Sequence, residues 1–143
     1  MVDITDKPVT NRMAKAAGVI RMKRETLEAI RSGATKKGDV IAVARIAGIM
    51  AAKKTAELIP LCHPIPLTDV DLTIDLDDAL PGARVTASAK TAAQTGVEME
   101  SIVAVSVTLL TIFDMVKGLD RDLMIGQITV TEKHGGKTGS WVR

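Results

Sequence analysis

Apolar and polar positions alternate with two different periods along this chain, and each change of period marks a change of element. "GVIRMK" (18–23) alternates and carries β-branched residues, which predicts a strand, whereas "RETLEAIRSG" (24–33) reads as a short helix stopped by Gly33. Residues 38–58, "GDVIAVARIAGIMAAKKTAEL", hold no proline and end before Pro60, so one long helix is expected there. Its small residues Ala42, Ala44, Ala47, Gly48, Ala51 and Ala52 would let another backbone approach closely. "LTDVDLTIDLDD" (67–78) returns to period two, Pro81-Gly82 marks a turn, and "ARVTASAKTAAQ" (83–94) alternates again, so the two should pair as a hairpin.

Residues 97–117 are rich in β-branched side chains, which favour strands, but the run is long and free of Gly and Pro, which decides for a helix. Thr95 and Glu98 fit a capping box, and Lys117-Gly118 would supply a last-turn cation and a C′ glycine. "LMIGQITVTEK" (123–133) predicts the final strand, followed by the glycine-rich "HGGKTGSWVR". The order β-α-α-β-β-α-β over a single domain, 1–143, with flexible ends at 1–17 and 134–143, predicts an α+β sandwich. Its antiparallel sheet should carry the helices on one face.

Composition narrows the class. One cysteine permits no internal disulfide, and one Cys with two His is too few for a structural zinc site. No secretory pattern opens the chain, so a cytoplasmic location is expected. The longest uncharged apolar run, 101–113, is too short to cross a bilayer and reads as a buried element, with no membrane partner implied. Net charge is +2 but uneven: residues 1–37 carry nine Lys/Arg against four acids, and 133–143 carry Lys133, Lys137 and Arg143 with no acid. Two basic ends can frame one anion site. The mild overall charge, and a chain whose only large aromatics are Phe113 and Trp141, argue against a nucleic-acid partner.

The candidate chemistry begins at "ELIPLCHPIPL" (57–67), where Pro60, Pro64 and Pro66 stiffen the loop that carries Cys62 and His63. A positioned imidazole and a merely structural loop histidine both fit this pattern, and Cys62 reads as a small buried residue. Asp114 and Lys117, three apart at the end of the apolar helix, project from one face as either a functional pair or an ordinary ion pair. Glu98 and Glu100 stand at the other end. At ~1.5 Å per residue, Glu100 and Asp114 lie about 21 Å apart. Either these acids only cap the helix, or a neighbouring subunit completes the site. "KKGDV" (36–40) puts two lysines before a helix start, and "KHGGKTG" (133–139) offers glycines between cations as a phosphate cradle. The latter is not a Walker A loop, because Thr131 stands where that motif needs its first glycine.

"KGDV" with "ARIAGI" (44–49), "LIPLCHP" (58–64), "TGVEME" (95–100), "LTIFDMVK" (110–117) and "GGKTG", in this order and spacing, closely resemble the cyclic pyranopterin monophosphate synthase family, also called molybdenum cofactor biosynthesis protein C. The resemblance runs from "MVDIT" to the glycine-rich tail. It implies a ferredoxin-like α+β fold and a homohexamer, a trimer of dimers, with active sites between subunits. It also implies a lyase that rearranges a cyclic dihydro-GTP to a pyranopterin, closes a cyclic phosphate and expels pyrophosphate. No metal or organic cofactor is implied, beyond Mg²⁺ as a counter-ion of the triphosphate. Carried over by motif, Lys37, Asp114 and Lys117 are catalytic, with Lys117 the principal acid/base. Cys62, His63, Glu98, Met99 and Glu100 bind substrate, and Arg12 and Lys133 contact the triphosphate. A non-catalytic phosphate-binding module of the same fold is the alternative.

Overall fold

In the computed structural model, which describes residues 1–137 and 139–143, the central strand β1 (Thr10–Arg21) starts well before the alternating run that predicts it. Residues 10–17, expected within a flexible end, all pair with one neighbouring strand, and 13–17 pair on both sides. The reason is compositional: Ala14 and Ala16 are small, buried completely and flush with the sheet, so they carry little of the bulky alternation by which a strand is read. From β1 the chain enters α1 (Arg24–Ser32), which ends as expected at Gly33 in the left-handed region (φ 72°).

The long helix expected over 38–58 is two helices, α2 (Val40–Ala52) and α3 (Thr55–Leu58). The chain leaves the helix at Lys54 (φ −115°, ψ 15°), and the buried Thr55 hydroxyl that follows donates to the Ala52 carbonyl at 2.9 Å. The predicted hairpin forms as β2 (Asp69–Asp77) and β3 (Gly82–Ala93), in unbroken antiparallel register from Asp69↔Lys90 to Asp77↔Gly82. α4 (Glu98–Val116) confirms that length outweighs β-branching. Its caps differ from expectation: Val97 is the N-cap with no side-chain hydrogen bond, so Thr95 and Glu98 form no capping box, and the helix ends on Lys117 without a left-handed Gly118. Two strands complete the sheet, β4 (Met124–His134) and the short β5 (Trp141–Val142), which the sequence reading leaves in the tail.

The sheet order is β2-β3-β1-β4-β5 with every pair antiparallel, an open α+β sheet of the ferredoxin-like kind. β3 matches β1 without a break, whereas the β1–β4 pairing shifts register twice, between Lys15 and Ala16 and between Ala17 and Val19, with Gln127 at φ 55° in the second bulge. α4 lies across β1, β3 and β4, and α2 packs beside it over β2. Ile20, Val85, Leu109, Ile112 and Val116 are wholly buried between these layers, each Leu or Ile contributing about 1.5–3 kcal/mol.

α2 runs antiparallel to α4 and very close to it. A Cβ at Gly48 would stand 2.9 Å from the Ala104 carbonyl oxygen and 2.6 Å from Leu72 Cδ1, so only glycine fits there. The small-residue face expected of this helix is therefore its contact face, through the buried Ala44, Gly48, Ala51 and Ala52, while Ala42 is exposed and Ala47 half-buried. α4 is long and apolar enough to span a membrane, longer than its uncharged stretch suggests, but it is the core helix of this fold.

Candidate functional site

Antiparallel packing of α2 on α4 fixes where the functional side chains fall. The loop before α2 comes to the C-terminal end of α4, and the segment after α3 comes to its N-terminal end. Two clusters result, one at each end of a single helix.

At the C-terminal end, Asp114 sits between two lysines. Lys37 Nζ donates to Asp114 Oδ2 at 2.6 Å and to its carbonyl oxygen at 3.0 Å, and Lys117 Nζ lies 2.7 Å from Oδ1. These hydrogen bonds and charges, Lys117's hydrogen bond first, hold the Asp114 carboxyl down at about 2. All three side chains remain about half exposed, so an incoming ligand can reach both ammonium groups. Lys37, placed by the sequence in a helix-start loop 77 residues from Asp114, thus joins the pair at 114 and 117.

At the N-terminal end, Glu100 is buried (4% exposed), and burial pushes its carboxyl above the usual carboxylate range, with the Glu98 charge adding to the effect. His63, from the proline-stiffened loop, donates Nε2–H to the Val2 carbonyl at 2.8 Å. Cys62, Glu98, Met99 and Glu100 join His63 around an opening of about 390 Å³. Cys62 is half-buried rather than fully enclosed. Its thiol is pushed up, by desolvation first and then by Glu100 and Glu98, which disfavours the thiolate a nucleophile needs.

A wider cleft of about 690 Å³ adjoins this opening, with Arg12, Lys133 and Lys137 among its walls. The Ala14↔Lys133 pairing puts Lys133 on the same face of the sheet as Ala14 and Arg12, the face that meets α4 at Val97. Lys133 forms an ion pair with Glu98, and Arg12 Nε donates to the Ala93 carbonyl at 3.0 Å. Gly136, at φ 78°, lies against the Arg12 guanidinium. Thr138 of the glycine-rich motif lies outside the described residues. Lys7, missed by the sequence reading, lines both openings. It is held there because Gln94 Nε2 donates to the carbonyls of Thr5 (3.1 Å) and Lys7 (2.9 Å), which ties the N-terminal segment across the cleft. Only the general basicity of residues 1–37 hinted at it.

Within one chain the two clusters do not meet, as the rise of the helix requires. What they define is a class: an α+β domain equipped for proton transfer on an anionic small molecule, with an imidazole and carboxylates at one end of a helix and a lysine–aspartate–lysine cluster at the other. The chain belongs to the MoaC family, whose model matches residues 1–136. It is 58% identical over 139 residues to the cyclic pyranopterin monophosphate synthase of Dinoroseobacter shibae, an alignment covering 97% of this chain and 88% of that protein. The proteins of that name from Brucella ovis and Brucella melitensis are 57% identical over 141 residues, covering 99% of this chain and 86% of each. The family read from the motifs is therefore the family of the chain.

Proposed function

We propose that this chain is a cyclic pyranopterin monophosphate synthase, a lyase of molybdenum cofactor biosynthesis acting in the cytoplasm. It would convert cyclic dihydro-GTP to cyclic pyranopterin monophosphate and pyrophosphate. The observation that carries this reading is identity of 57–58% over nearly the whole length with relatives of that name.

The geometry supports a division of labour. Asp114 stays anionic throughout the neutral range, so it is the holder of the two ammonium groups and not the proton carrier. Lys117 is the principal acid/base and Lys37 the second cation. Glu100, with its raised carboxyl, exchanges protons or hydrogen bonds at the pterin-forming rings, beside His63, Cys62 and Met99. Arg12 and Lys133 take the triphosphate, with Mg²⁺ as its counter-ion where the chain's own cations fall short. Because the clusters lie at opposite ends of α4, we assign the working site to two chains, within a homohexamer built as a trimer of dimers.

A non-catalytic phosphate-binding module accounts for the cleft but has no use for a carboxylate clamped between two lysines. Incubation with cyclic dihydro-GTP separates the two: release of pyrophosphate together with a pterin is expected, and tight binding without either product would leave only the binding module.

A further inference from the structure

Glu98 shares its cleft with two other acids, Asp3 and Asp6, but among the described residues it alone of the three pairs with a lysine. Its carboxylate pairs with Lys133 in the cleft whose other cations, Lys7, Arg12 and Lys137, have no carboxylate partner among the described residues. Glu98 folds back over Gly96, where any Cβ would collide with its carboxylate. Both partners are about 30% exposed, so the pair is shielded enough to matter and open enough to be displaced.

We infer that Glu98 is a resident counter-anion that keeps Lys133 oriented in the empty protein and is displaced by a condensed phosphate, a diphosphate or triphosphate chain. Phosphate oxygens take over the Lys133 ammonium. The released Glu98 carboxylate is then free to turn to the neighbouring opening that Glu98 shares with His63 and Glu100. Occupation of the phosphate cleft thus delivers a carboxylate to the adjoining site, and loss of the phosphate product withdraws it. This inference rests on the proposed function for its ligand class, but it concerns binding and not turnover.

The competition gives an opposite forecast from simple contact. Inorganic tripolyphosphate is titrated calorimetrically into the oligomer at low ionic strength, where screening is weakest. If Glu98 competes with phosphate for Lys133, Glu98→Gln should tighten tripolyphosphate by about three- to tenfold. Lys133→Ala should weaken it, and in the Lys133→Ala background Glu98→Gln should change nothing further. Glu98→Gln that weakens tripolyphosphate, or leaves it unchanged, overturns the inference.

A second readout uses the unaltered protein. With glutamate labelled at the side-chain carboxyl, the Glu98 carbon resonance should move on tripolyphosphate addition, and should not move in Lys133→Ala. A resonance that stays still in the wild type counts against displacement. Tightening by Glu98→Gln in a protein without turnover of cyclic dihydro-GTP would sink the proposed function and keep this inference. Turnover with no tightening would do the reverse.

Discussion

Under the proposed function Lys117 and Glu100 both handle protons, one from an exposed ion pair and the other as a buried carboxyl. Lys117 is bound to an aspartate that cannot be protonated near neutrality, so an ordinary ion-pair role predicts that Lys117→Ala folds, assembles and stays active. A role in proton transfer predicts a folded oligomer whose turnover falls by ~10² or more. Lys117→Arg keeps the charge but releases no proton near neutral pH, so we expect it to bind substrate without turning it over; an active arginine variant would move the acid/base role to Lys37. Glu100 carries its cost in stability. Its folded-state pKa lies above the unfolded value, so the native state binds more protons, and stability falls as pH rises through the ordinary glutamate value of 4.5 towards the raised one. Glu100→Gln should therefore raise Tm at neutral pH, flatten that fall and lose activity, as thermal melts across pH paired with turnover will check. Asp114 has the reverse sign: its ion pairs are complete above the ordinary aspartate value of 3.8 and are lost as pH falls towards about 2.

An element can owe its end to a distant residue as well as to its own sequence. α1 begins at Lys23, which offers no capping side chain; Asp120, from the loop after α4, accepts the Lys23 N–H at 2.7 Å and the Thr26 hydroxyl at 3.3 Å. It also accepts the Asp122 N–H at 2.8 Å, and these hydrogen bonds outweigh the burial that would raise its carboxyl. Asp120→Ala should cost about 1–2 kcal/mol, the scale of losing a helix cap, and fray α1 first, measurable by denaturant midpoint and amide exchange of α1. This tie spans nearly a hundred positions and leaves no local pattern. Elsewhere the difference lies in how much signal the residues themselves carry. Period and length were enough for α1, the β2–β3 hairpin and α4, because their signals are local. The break in 38–58 falls at Lys54, where no Gly or Pro marks it, and the early start of β1 was hidden by its alanines.

Across the whole molecule, most residues of the candidate site were legible as motifs, Lys7 excepted, but their grouping was not, since Lys37 reaches Asp114 only through the packing of α2 on α4. The helix rise did indicate that Glu100 and Asp114 could not meet in one chain. If two chains share each working site about a twofold axis, Lys117→Ala and Glu100→Gln proteins, each inactive alone, should regain about a quarter of wild-type turnover after dissociation and random remixing. Mixtures that stay dead would confine the site to one chain. The bulges of β4 carry a different consequence, for changes in length. Opposite β1, β4 has one surplus residue at Thr131 and another beside Gln127. Loss of Thr131 therefore removes slack: Lys133 can stay opposite Ala14, and Gly126 opposite Val19. β3 has no surplus, being matched residue for residue to β1 and β2, so one deletion there turns every later side chain to the wrong face. The sheet can absorb a shortened chain on one side of its central strand and not on the other.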